Sequence, residues 1–196
     1  MCWSAEVSIV SFIIGCIVSY ILFTRQHKQQ YDIVVACLVL FYSFVQLAEF
    51  FMWTSISSQD VQMNITGNRI AYYSLWSNLF AIGLGFYLMT KGTIRLPLLI
   101  GSLLLIYAYI NEPQFDVAHP QKQGCHLQWG FDPSFYSLVF ALCVLCMLKY
   151  APFASIKKLY AFFIGSYVLA KVTQHSSRNV STYWCWFAAC FSWLLL

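Results

Sequence analysis

The sequence of 196 residues predicts an all-α fold: a polytopic transmembrane helix bundle of about seven spans, N-terminus outside and C-terminus cytoplasmic. Three observations predict it. Hydrophobic residues make up 60% of the chain and charged residues only 9%, where about a quarter of a globular chain is charged. Seven apolar segments recur, at 5–23, 33–53, 71–90, 94–110, 133–149, 159–174 and 180–196. The few charges gather between those segments, and Lys and Arg do so unequally. A single helical domain over 1–196 uses up the length and leaves no room for a soluble catalytic domain.

The first segment follows no basic stretch and precedes no small-residue cleavage site, so an uncleaved first span is expected. Position 2 is not glycine, which removes myristoylation. Ser4, Ser8, Ser11, Gly15 and Ser19 recur in it at helical spacing. The second segment carries Tyr42, Gln46, Glu49 and Trp53, spaced four, three and four, hence one stripe of a helix. Apart from Glu6 at the very start of the first segment, Glu49 is the only acid inside an apolar segment. Such a carboxyl costs about 2.5–3.5 kcal/mol at mid-bilayer, so it should face protein or water. In the third segment Ser74, Asn78, Ala81 and Gly85 form a similar stripe, with Ser77 beside it. Small residues let transmembrane helices approach and Ser or Asn can bridge them, so these stripes read equally as packing faces. Spans one to three are the expected core, with Glu49 and Gln46 facing Asn78 and Ser77. Several segments are short against the roughly 20 residues a crossing needs, and whether the fourth and seventh fully span is open. Loops are brief except at 54–70 and 111–132.

Loop charge sets the orientation. Arg25, Lys28, Lys91, Arg95, Lys149, Lys157 and Lys158 lie on the side of the odd loops, against Arg69, Lys122, Lys171 and Arg178 on the other. The positive-inside rule makes the odd loops cytoplasmic. Glycosylation sequons at Asn64-Ile65-Thr66 and Asn179-Val180-Ser181 fall on the outer side, in mild agreement. So do Glu6, Asp60, Glu112, Asp116 and Asp132. Trp3, Trp53, Trp76, Trp129, Trp184 and Trp186 sit at or below the outer boundary, as an interfacial belt or as walls of a cavity opening outward.

Cys2, Glu49, His119, Cys125, His126, His175 and Cys185 collect on the outer half, which raises a metal site with His126 and His175 as candidate ligands. No HxxxH or HExxH is present, however, and no His lies deep in a span. The chain thereby departs from the intramembrane zinc hydrolases of the ceramidase and adiponectin-receptor kind, and no cofactor is expected. Cys16, Cys37, Cys143, Cys146 and Cys190 read as small hydrophobes. Cys2, Cys125 and Cys185 could share an outer rim and form one disulfide. An opsin is excluded by the absence of lysine from 180–196, and a G-protein-coupled receptor by the short loops. A net charge of +4 is weak ground for nucleic acid, which is set aside as a partner.

Met1-Cys2-Trp3-Ser4-Ala5, Gln46-Leu47-Ala48-Glu49 and Trp184-Cys185-Trp186-Phe187-Ala188-Ala189 carry a resemblance. In these blocks the chain resembles a family of small uncharacterised multi-span membrane proteins. Its members open Met-Cys-Phe/Trp-Ser-Ala and end in a Trp-Cys-Phe/Trp-Phe-Ala-Ala span. The resemblance implies that Cys2, Ser4, Glu49, Trp184 and Cys185 form a shared feature near the outer face, and it brings no activity with it.

The expected function is an integral membrane protein with an outward-facing polar pocket around Glu49 that binds or passes a small solute or ion. Glu49 would supply charge or a proton site, and Gln46, Asn78, Ser77, Ser4 and Trp184 would line the pocket. The alternative is a non-catalytic structural subunit of a larger membrane or virion assembly; an intramembrane metal-dependent hydrolase ranks third. The lipid bilayer is the expected partner in each case, and a homo-oligomer is compatible with all of them.

Overall fold

In a computed structural model the chain is mostly helical. Residues 4–27, 29–120, 127–132 and 136–151 are described, with positions 157, 161, 164, 165 and 168. Among them six helices follow in order: α1 (Ala5–Thr24), α2 (Asp32–Ser58), α3 (Val61–Trp76), α4 (Asn78–Met89), α5 (Leu96–Ile110) and α6 (Tyr136–Tyr150). Between α5 and α6, β1 (His119–Pro120) pairs antiparallel with β2 (Leu127–Gln128), His119 opposite Gln128. Helices α1 and α2 are long and apolar enough to cross a membrane, while α4, α5 and residues 141–150 of α6 are shorter apolar helices. Most of segments 159–174 and all of 180–196 lie outside the described residues.

Helix α1 is built inside out. Ser4 caps it by accepting the Val7 N–H, and its serine stripe then turns inward, with Ser8, Ser11, Gly15 and Ser19 buried. The opposite stripe of Val10, Ile13, Ile17 and Tyr20 is exposed. A water-soluble helix would reverse that arrangement, because burial of apolar area is what drives its packing. The small stripe brings the backbones of α1 and α2 together. Ser19 donates to the Ala36 carbonyl at 2.9 Å, and a methyl on Gly15 would lie 2.9 Å from Ser43 Cβ. Phe12 meets Phe44 with ring centroids 5.7 Å apart, which completes an antiparallel register. Arg25 closes the α1–α2 turn on Asp32, whose carboxylate also accepts the Gln29 N–H.

Helix α2 is the hub. Its other side receives α4, with Tyr31 on Phe86 and Phe41 on Phe80, and then α3, where Gly67 lies against Met52 and the Ala48 carbonyl. That register sets Asn78 level with Tyr42, and Ser74 level with Gln46. On the α1 side, the same reasoning sets Ser11 level with Gln46 and Ser8 level with Glu49. Helix α6 closes on α4 through Tyr150 and Phe86.

Two expectations are corrected here. Residues 54–70, read as a loop, are the last turn of α2, a two-residue turn and the first half of α3. Their polar composition concealed the helix: Ser55, Ser57 and Ser58 return their hydroxyls to carbonyls three or four residues back, and Asp60 caps α3 at the Met63 N–H. The segment 71–90, read as one span, divides at Ser77. Its N–H still reaches the Tyr73 carbonyl, and Ala81 reaches back to Ser77, so the break is a single loosened turn.

Candidate functional site

The long connection 111–132, also read as a loop, folds back as a hairpin on the end of the bundle that holds Ser4 and Ser58. Two asparagines one turn apart on α3 dock it. Asn64 accepts the Ala118 N–H at 2.7 Å and donates to the Ala118 carbonyl at 3.3 Å. Asn68 accepts the Gly130 N–H at 2.7 Å and donates to the Asp116 carbonyl. Asn64 thus takes both backbone groups of Ala118, while Asn68 bridges the two arms at Gly130 and Asp116, each amide using one acceptor and one donor. Asp116 and Gly130 pair with each other at 2.9 Å.

Asn64 is buried, so the sequon that contains it is closed to glycosylation in the folded protein. Asn64→Asp keeps the shape and loses the donor. It should lower stability by about 1–2 kcal/mol in thermal unfolding, the amount a buried unpaired carbonyl costs. In glycosylating cells the parent and Asn64→Gln chains should show no glycan difference at this position.

The docked hairpin carries Ala118, Leu127 and Trp129 inward, all buried. Phe115 and Phe131 close on Tyr72, 5.7 and 5.6 Å between ring centroids, and Trp129 stacks on Phe131 at 5.4 Å. This places the Trp129 indole beside Glu49 in the core.

Around Glu49 the hydrogen bonding is incomplete. Gln46 and Glu49 are 0% and 2% exposed. The Gln46 amide nitrogen donates to Glu49 Oε2 across 3.4 Å. Beyond that, Glu49 Oε1, Gln46 Oε1 and the Trp129 indole N–H have no hydrogen-bond partner. Two further unpartnered buried atoms lie at neighbouring levels: Ser8 Oγ on α1 and Asn78 Oδ1 on α4. Over nine-tenths of buried polar groups in folded proteins are paired, so three orphans at Glu49, Gln46 and Trp129, with two more within about two turns along the bundle, mark a site. Among the described residues Glu49 has no basic partner, the ion pairs there being Arg25–Asp32 and Arg69–Glu112.

The residues expected to form the pocket separate accordingly. Glu49 and Gln46 are joined. Asn78 is buried on the adjoining helix but bonds neither of them. Ser77 turns its hydroxyl to the Ser74 carbonyl of its own helix, and Ser4 is spent on capping α1. Cys2, Cys125, Cys185, Trp184, His126 and His175 lie outside the described residues. Among the described residues no group of three His, Cys, Asp or Glu side chains could hold a metal, and Cys16, Cys37, Cys143 and Cys146 are free thiols. Trp129 is the participant that sequence reading left among the belt tryptophans. The alternation Leu127-Gln128-Trp129-Gly130-Phe131 is the signal that could have found it, since period two marks a strand with one side turned inward.

Outside Trp129 a cleft of about 520 Å³ opens on the hairpin, lined by Asp116, His119, Gln128, Trp129, Phe131 and Asp132 among others. The indole therefore stands between an open, acidic cleft and the buried carboxyl. The chain matches no protein-family model, no curated protein and no solved structure.

Proposed function

We propose that this is an integral membrane protein of about seven spans, N-terminus outside, whose Glu49–Gln46 pair beneath the hairpin binds or passes a small solute or ion. One observation carries the reading: a buried carboxyl with no basic partner among the described residues, beside the unpartnered Gln46 Oε1 and the Trp129 indole N–H. An ionisable group held at such a cost inside an apolar bundle is a functional feature by default, because hydrophobic packing would be cheaper. The inside-out construction of α1 supports the membrane setting, and the hairpin with its cleft supplies an entrance on the outer side.

The test is access. In a cysteine-free background, Glu49→Cys should react with a membrane-impermeant thiol reagent added from the hairpin side, and faster when Trp129→Ala accompanies it. A cysteine at 49 that stays unreactive from both sides in the presence of Trp129→Ala, while one at Asp116 labels, would refute the pocket.

A further inference from the structure

We infer that the species taken at this site is a small monovalent cation, admitted from the acidic cleft past the indole of Trp129. The inference rests on the pocket reading above and names its ligand.

The unpartnered atoms decide the sign. Glu49 Oε1 and Gln46 Oε1 are both acceptors one helical turn apart, and Asn78 Oδ1 is a third about two turns along the bundle. The Gln46 amide nitrogen is already committed to Glu49 Oε2. A ligand that completes this wall must therefore supply positive charge or donors. An anion would meet the Glu49 carboxylate with no Lys, Arg or His among the described residues to offset it. Size and valence follow from the same inventory. One carboxylate among neutral amide oxygens balances one positive charge, whereas hard divalent ions are held by six to eight oxygens that usually include several carboxylates. Amide and carbonyl oxygens are the groups that replace the hydration shell of alkali cations in selective sites.

The approach is suited to the same ligand. Asp116 lines the cleft, and none of its described lining residues is Lys or Arg, so its carboxylate draws cations toward the mouth. The cleft is lined in part by the Trp129 indole, a ring system that attracts cations at its face and whose N–H lies beside Glu49 without a hydrogen-bond partner. A modest rotation of Trp129 would let the N–H bond the carboxylate. The indole and the cation then compete for one oxygen, and Trp129 acts as the gate.

The test is thermal unfolding of the full chain in detergent, at fixed pH and ionic strength, with sodium, potassium or ammonium chloride exchanged for choline chloride. At least one small cation should raise the midpoint saturably where choline does not, since a ligand that binds only the folded state stabilises it by mass action. Glu49→Gln should unfold cooperatively and lose that cation dependence. Asp116→Asn should raise the half-saturating concentration severalfold and leave the maximal shift unchanged. The three salts distinguish a metal ion from an ammonium group. Equal midpoints in all four salts would overturn the inference, as would a Glu49→Gln chain that keeps the cation-specific shift. A midpoint that follows pH but not the cation would assign the site to a proton instead. If the Glu49→Cys variant labels from the hairpin side and no cation acts, the pocket stands and only the cation falls; if it does not label, the pocket itself falls.

Discussion

Glu49→Leu should leave the protein at least as heat-stable as its parent while abolishing whatever the site binds. The carboxyl is 2% exposed, receives one long hydrogen bond from Gln46 and has an oxygen with no partner. Replacing a poorly compensated buried ion by an apolar residue of similar volume is commonly neutral or stabilising, by about 1–4 kcal/mol. The companion variant Glu49→Gln keeps volume and most hydrogen-bonding capacity and deletes only the charge. It should fold normally and weaken ligand binding or flux about a hundredfold, which corresponds to about 2.7 kcal/mol. Thermal midpoints beside a binding or proteoliposome flux signal check both. A Leu variant several degrees less stable would make Glu49 a structural residue, and a fully active Gln variant would remove its charge from the mechanism.

The second large effect is expected where α4 crosses α5. A methyl on Gly83 would lie 2.5 Å from Leu98 Cα, and one on Gly101 would lie 2.5 Å from the Phe80 backbone nitrogen. Both obstacles are main chain, which cannot rotate aside, so even alanine forces the helices apart. Pro97, in the first turn of α5 where an N–H would go unused, sits at the same crossing and leaves the contact dry and close. Each of Gly83→Ala and Gly101→Ala should cost about 2–3 kcal/mol, the upper range for overpacking. The double variant should cost clearly less than the sum, because the first separation accommodates the second methyl. Strict additivity in denaturation would show that the two glycines do not share one crossing.

Much of this bundle is legible in the sequence, and the exceptions share a physical cause. Segments 5–23, 33–53 and 94–110 anticipate α1, α2 and α5 within a few residues at most ends, because a long apolar run admits one solution in lipid. The stripe through Gln46 and Glu49 is likewise buried as its spacing demands. Helix α3 escaped because Asn64, Asn68 and Arg69 look like loop residues, and their roles depend on partners 43 to 62 positions away. Ser77 and Ser4 illustrate the converse. Serines at helical spacing are as ready to bond their own backbone as to line a pocket, and only the fold decides between them. Trp129 depended on both a hairpin and its docking, and neither leaves a local signature strong enough to place one ring among seven tryptophans.

The inside-out helix α1 has a consequence for the order in which the protein can be made. An 18-residue window of it has a mean hydropathy of 2.3, so it can partition into a bilayer from the ribosome without help. Helix α2 follows after a connection of seven residues, and in a bilayer it would bring Gln46 and Glu49 to the serine face of α1 against which it packs. Helix α3, with its asparagines, has α2 beside it before its own chain is complete. Synthesis from the N-terminus thus presents each successively more polar segment with a surface laid down by the one before it. A circular permutant that delivered α2 ahead of α1 would contain every native contact and still have lost that sequence of events.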